Sequence, residues 1–403
     1  MRPIYKLDNI ITKSQTKEMK KLLQFLSILT ILLGISISII YVLELKLDWM
    51  NVGKSAQIGD FIGGVVGTIF SLSAFLLLVL TFYEQTKFTK KERFESKFFD
   101  LLKLHRENVS ELEKDTENGR KALHDIYNQF LTCREESKPL FTKKKSSDIY
   151  QPEYLKKFEK LIKLTNPNLN LLDIAKLDIP YILTFFGVNA QGKMSILDQL
   201  EKKYKKKFLE KIIDNIAMKP VETSDYFSNW KRINNLTSSK KDRVLFFIRQ
   251  LRNNPKYEFD DQHLFTIAKD YYYPSNFIKF YGGHQYKIGH YFRHLFLTFT
   301  FINEQNFLSR KEKYFYAKLL RAQLSTSEQG LLFINSLSTL GLVWDINPKV
   351  KKTNILWLDK ILIKPKRLIT KYNLIKNLPG KEVFGIIYKD FYPEIDYEID
   401  DSL

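Results

Sequence analysis

Two uncharged apolar runs near the start constrain this chain more than anything else in it. From Leu22 to Leu43 there is no charged residue (LLQFLSILTILLGISISIIYVL), and from Phe61 to Tyr83 there is none (FIGGVVGTIFSLSAFLLLVLTFY). Each run, as a helix rising about 1.5 Å per residue, covers a hydrocarbon core about 30 Å thick. Backbone groups find no partners in lipid, so helices are the form that satisfies them. The first run is too long for a signal-peptide core, and no small-residue cleavage site follows Tyr41, so it reads as an uncleaved anchor. The averages hide this: mean hydropathy over the whole chain is −0.26, the value of a soluble protein.

Charge orients the hairpin. Arg2, Lys6, Lys13, Lys17, Lys20 and Lys21 precede the first run, and Lys87, Lys90, Lys91, Arg93 and Lys97 follow the second. Only Lys46 and Lys54 lie between. The positive-inside rule then places both ends in the cytoplasm and a short loop outside, with Tyr41 and Trp49 at the outer interface and Tyr83 at the inner one. The expected arrangement is a membrane crossed twice. Gly59, Gly63, Gly67 and Ser71 recur every four residues, so small side chains share one face where another helix can approach. Gly34 and Ser38 of the first run could meet that stripe within the hairpin, or a second copy could pack there.

The remaining 320 or so residues read as a mostly helical cytosolic body. Phe94, Phe98, Leu101, His105, Val109 and Leu112 fall three and four apart, the mark of an amphipathic helix continuing the second span. Residues 134–152 read as a polar loop, and 153–215 as helical, including the basic stretch EKKYKKKFLEK at 201–211, which can face solvent or anionic lipid. Helical patterns cover 285–304 and 310–326. From 353 to 390 short apolar runs (NILWL, ILI, VFGIIY) leave room for minor β structure. The acidic tail EIDYEIDDSL can dock on a basic face or move freely. The expected segments are a membrane anchor over 1–86, a helical extension over 87–135, a helical domain over 136–345 and a C-terminal segment over 346–403.

Composition excludes several classes. One cysteine, Cys133, makes no internal disulfide and suits a reducing compartment. The formal charge of +19 comes from 51 Lys and 13 Arg. Bidentate reading of phosphate or guanine favours Arg, so a Lys-heavy excess argues only weakly for nucleic-acid binding.

Three local patterns can carry chemistry. GVNAQGKMS at 187–195 has the G-x4-G-K spacing of a phosphate-binding loop, and YILTFF before it could be the preceding strand. Met194, however, stands where such loops place a Ser/Thr hydroxyl on Mg²⁺, and the Walker-B-like NILWLD ending at Asp359 is weak. GGHQYKIGHYFRHLF at 282–296 holds His284, His290 and His294 with Arg293. His290 and His294 share a helical face. They can be core histidines, metal ligands lacking a third partner, or, with Arg293, groups that hold a phosphodiester and move a proton. The Arg-x4–6-His signature of small helical RNases is absent, and Arg120 to His124 is too short for it. In RAQLSTSEQGLLFINSL at 321–337, Ser325 or Thr326 with Glu328 forms a helix-cap signal. No metal site, resident cofactor or established catalytic motif follows from these patterns. His290, Arg293 and His294 remain the catalytic candidates.

Taken in order, the paired spans, GDFIGGVVGTIFSLSAFLLLVLTFYEQ at 59–85, FESKFFDLLKLHRENVSEL at 94–112, GHYFRHLFLTFTFIN at 289–303 and LLRAQLSTSEQGLLFINSL at 319–337 resemble the phage abortive infection proteins of the AbiC-like family. The resemblance runs from about residue 58 to 345. It implies a membrane-anchored bacterial defence protein that limits phage spread, with a sensor or effector body facing an unknown phage component or host target. It assigns no catalytic residues. Phe98, Phe99, His105, His290, Tyr291, Arg293, His294, Arg321, Gln323 and Leu324 are motif positions without an assigned role. Two other readings stay open: a membrane-tethered nuclease or nucleotide-binding enzyme using the 284–294 histidines, and an oligomeric scaffold or membrane-perturbing protein built on the glycine stripe.

Overall fold

A computed structural model describes residues 4–44, 52–112, 119–166, 168–258, 260–270, 277–345, 350–352, 360–362, 366–378, 382–383 and 385–398. The protein is mainly helical, as its sequence predicts, with two short two-stranded pairings late in the chain. Contacts divide it into two compact units, 1–101 and 102–403.

The first unit is built on long helices. Helix α1 spans Ile4–Glu44, and α2 covers Val52–Phe61. A five-residue π segment, Ile62–Val66, leads into α3 at Gly67–Glu111. The π segment contains Gly63 and Gly64, whose missing side chains let the backbone widen locally. Two stretches are long and apolar enough to cross a membrane: Lys21–Ile40, with mean hydropathy 2.3, and the helix from Gly59, with 2.4. Their shared seam is made by Ser27, Thr30 and Gly34 against Val66, Ile69, Phe70 and Ser73. The Ser73 hydroxyl donates to Thr30 Oγ1 at 2.6 Å, and a side chain on Gly34 would press on the Phe70 ring at 3.2 Å. Gly59 and Gly63 have open space above them, and Ser71 is exposed, its hydroxyl turned back to the Gly67 carbonyl. The seam therefore uses a different face from the glycine stripe.

In the second unit α4 (Gly119–Phe141) packs on α7 (Leu171–Phe186), with α15 (Thr326–Leu337) completing the centre. The apolar residues of these helices are almost all buried, each contributing roughly 1.5–3 kcal/mol. Around them lie α5 (Ser146–Ile149), α6 (Pro152–Thr165), α8 (Ala190–Leu200) and α9 (Lys206–Ile216). A second small core joins α10 (Phe227–Asn234), α11 (Ser238–Asn253) and α12 (Gln262–Asp270) around Trp230, Ile233 and Ile248. Helices α13 (Gln285–Glu304) and α14 (Arg310–Arg321) follow. Strands β1 (Val350–Lys352) and β2 (Lys360–Leu362) pair antiparallel, Lys351 opposite Ile361. After α16 (Leu368–Tyr372), β3 (Glu382–Val383) pairs with β4 (Ile386–Ile387), and α17 (Tyr388–Phe391) ends the helices.

Several local expectations change. Residues 134–141 are helix, not loop: Arg134, Ser137 and Phe141 are buried, so tertiary packing overrides a polar sequence and Pro139 near the helix end. The basic stretch 201–211 is a turn followed by α9, and most of its lysines face solvent as expected. Lys203 is the exception. It is buried with its ammonium 2.6 Å from Asp178, whose carboxylate also accepts from Tyr204, the Thr339 hydroxyl and the Thr339 amide. Breaking one partner of such a pair costs about 3–5 kcal/mol. The acidic tail docks over its described part. Ile395 and Tyr397 are buried, while Glu394 pairs with Arg367 and Asp396 with Lys376, each at 2.7 Å. The NILWLD run and the loop over 45–51 lie outside the described residues.

Candidate functional site

The three sequence blocks beyond the two apolar runs meet at one place in the second unit. The first block enters on the end of α3 with His105 and Arg106. The second enters on α13 with Tyr291 and His294, and the third on the turn into α15 with Gln323, Ser325 and Glu328. The rings of His105 and His294 stack at 6.3 Å and 14°, and Tyr291 lies 5.5 Å from His105. The Tyr291 hydroxyl donates to Glu328 Oε1 at 2.9 Å, and Arg106 Nε donates to Gln323 Oε1 at 3.1 Å.

The α15 N-terminus is a complete capping box. Ser325 Oγ accepts from the Glu328 amide at 3.3 Å, and Glu328 Oε2 accepts from the Ser325 amide at 2.7 Å. This arrangement satisfies orphan helix donors and leaves the second carboxylate oxygen for Tyr291. Glu328 is fully buried, so its negative charge is spent inside this network. Desolvation and the Glu328 charge push the Tyr291 phenol well up, which keeps it a donor. Close by, Gly330 lies against the Tyr127 ring, where a side-chain carbon would sit 2.8 Å from the ring edge.

His105 is 1% exposed, and its Nδ1 meets no hydrogen-bond partner among the described residues. Burial lowers its pKa to about 4, helped by the nearby His294, Arg120 and Arg106, so the ring is neutral at pH 7. Arg120 and His124, from the first two turns of α4, complete the cluster. Arg120 Nη2 donates to the Gln323 carbonyl at 3.4 Å, and His124 Nδ1 lies 2.9 Å from Ser327 Oγ. Asn128 Nδ2 stands 3.0 Å from His124 Nε2, so a ring carrying its proton on Nδ1 satisfies both neighbours.

The sequence candidates separate. His290 and Arg293 are exposed and joined, Arg293 Nη2 lying 3.4 Å from His290 Nδ1, while His294 turns inward to His105. His284 goes elsewhere. Its Nε2 meets Gln129 Oε1 at 2.6 Å, and burial first, then Lys287, lowers its pKa to about 4, so it pins the loop before α13 to α4. Arg321 donates to the carbonyls of Tyr372 and Asn373, tying α14 to α16, and Leu324 is buried. Phe98 is buried and Phe99 exposed. Among the described residues no three His, Cys, Asp or Glu side chains gather as metal ligands.

The phosphate-loop spacing does not form a phosphate cradle. YILTFF is the end of helix α7, not a strand. Asn189 caps α8 through the Gly192 amide, Val188 N–H bonds the Tyr281 carbonyl, and Lys193 pairs with Asp214 at 2.9 Å. Gly187, at φ 78°, and Gly283, at φ 95°, bring two backbones so close that a side chain on either would clash below 3 Å. The glycines serve this crossing.

Sequence reasoning missed Arg120 and His124, which it weighed only as a spacing. Three of the six histidines and two of the 13 arginines of a lysine-rich chain collect here, His105, His124 and His294 with Arg106 and Arg120, while His290 and Arg293 stand on the exposed face of α13. Arginine beside neutral imidazole can hold a phosphate and exchange a proton with it.

A family model described as "Putative phage abortive infection protein" matches residues 283–357, the stretch that carries α13, α14 and α15. The resemblance read from the sequence is borne out there. No curated protein and no solved structure matches the chain.

Proposed function

We propose that this chain is a bacterial antiphage protein acting by abortive infection, held in the inner membrane by its N-terminal hairpin, with a cytosolic sensor or effector body. The match over 283–357 carries this reading, because that stretch supplies two of the three blocks that meet at His105. The anchor is supported by Lys21–Ile40 and the helix from Gly59, which leave Phe25, Leu32, Ile40, Phe75, Leu78 and Phe82 exposed. In water such a surface is unfavourable by about 25 cal/mol per Å², and in lipid it is not. The partners are the bilayer, an unidentified phage or host component and, through the glycine stripe, a second copy of the chain.

A second reading, chemistry on a phosphodiester, is favoured by one observation. His290 and Arg293 are exposed and in contact, on the same helix whose His294 stacks against His105. Substituting His290, Arg293 and His294 together by Ala tests it. Loss of protection in a phage plating assay, at equal protein level, is the expected result. Full protection by the triple variant removes the enzymatic reading of this helix and leaves the defence reading standing.

A further inference from the structure

On the other side of α13 lies an open cleft of about 600 Å³, between α7, α8, α13 and the 340–344 segment. Its walls are aromatic: Phe185, Phe186, Phe292, Phe296 and Trp344. Phe185 and Phe186 hold each other edge to face at 4.9 Å and 81°, and Phe296 and Trp344 at 5.0 Å and 83°. Such pairs fix the rings, and the half-buried Phe186 and Phe296 leave part of their surface to the cleft.

Among the described residues one charged side chain lines this space, Arg293, and no acidic one does. Its Nε bonds the Gly289 carbonyl at 3.0 Å, which orients the guanidinium, and its Nη2 makes only the long 3.4 Å approach to His290. Two exposed amides, Gln199 and Gln285, add to the polar lining, and a third, Asn335, is buried and already bonded to the Tyr181 hydroxyl and the Trp344 indole. An apolar ligand would cover Arg293 and both amides without giving them partners. A bare anion would leave the rings unused. A planar heterocycle carrying a phosphate uses all three: rings for stacking, guanidinium for phosphate, amides for the base edge. The volume lies in the range of small-ligand sites.

We propose that this cleft binds a nucleotide, the base between the aromatic walls and the phosphate on Arg293. The proposal shares Arg293 with the catalytic candidates but does not require any chemistry at the histidines. The nucleotide can be free or one unit of an RNA strand.

The test is equilibrium binding to the detergent-solubilised full chain. The probes are AMP, GMP, CMP and UMP, their nucleosides, and the corresponding hexanucleotides. Saturable binding of at least one monophosphate tighter than about 100 μM is expected. Arg293→Gln, at an exposed position, weakens the monophosphate tenfold or more and changes its nucleoside less than about threefold, the size of one charge-assisted contact. Val343→Trp, also at an exposed position, fills the cleft and weakens both. A hexanucleotide binding over tenfold tighter than its monophosphate assigns the site to RNA, and equal binding assigns it to the free nucleotide. Absence of saturable binding by all the monophosphates and hexanucleotides overturns the proposal, as does unchanged binding to Val343→Trp. Because the readout is binding, its failure is separate from any failure of phage protection.

Discussion

His105 carries an imidazole nitrogen that is buried without a partner among the described residues, beside His294 and within the field of Arg120 and Arg106. A neutral histidine in that place fixes the sign of a pH effect. Its folded pKa, about 4, lies below the unfolded value of about 6.5, so the unfolded chain takes up the proton first as pH falls. The stability it protects is therefore complete above pH 6.5 and declines between 6.5 and 4, by roughly 3 kcal/mol at most. His284 acts in the same direction over the same window. Thermal unfolding of the solubilised protein between pH 7 and 4 should show this decline. His105→Gln, which cannot take the proton, should flatten part of it. A slope unchanged by that substitution would show that His105 does not set it. At the same scale the limits of sequence reading are plain. Arg106 and Gln323 are 217 positions apart, and no spacing rule joins them. The resemblance brought His105, Tyr291, His294 and Gln323 together as motif positions, but only packing makes them neighbours. Arg120 and His124 carried a readable signal, two functional side chains one helical turn apart, and lacked the site that gives it meaning.

Among the elements, strong periodicity read true. The spacing of Phe94, Phe98, His105 and Leu112 gives the end of α3, and α13 occupies 285–304 as its pattern predicts. The Ser325–Glu328 signal is the α15 cap. YILTFF failed because a short apolar run buried on all sides carries no period, and the twelve buried residues of α7 make such a helix resemble a buried strand. The glycine stripe was legible, yet which face of the hairpin it occupies was not. The seam holds Thr30 with Ser73 and Gly34 with Phe70, so Gly59 and Gly63 are left open on the surface. Small residues exposed on an apolar helix favour close helix approach in lipid. Gly63→Leu with Gly67→Leu should therefore lower the fraction of crosslinked dimer in membranes while leaving the hairpin intact. An unchanged fraction would argue that the stripe takes no part in assembly.

For the molecule as a whole, the +19 charge bears on the proposed membrane topology through its distribution about the two apolar runs. Eleven Lys and Arg flank the two apolar runs on their outer sides against two between them, a bias that favours both ends inside. Cys133 makes this testable without background, because it is fully buried and burial pushes its thiol pKa up, so it is a poor nucleophile. A cysteine introduced by Lys54→Cys should react with a membrane-impermeant maleimide in cells whose outer barrier alone is opened. One introduced by Lys144→Cys, on the exposed turn after α4, should react only after the inner membrane is breached. The reverse pattern would invert the topology and place the His105 cluster outside the cell. Reaction of neither position until the inner membrane is opened would remove the crossing itself. The expected pattern puts Arg106, Arg120 and Arg293 on the cytosolic side, the side that the proposed antiphage function requires.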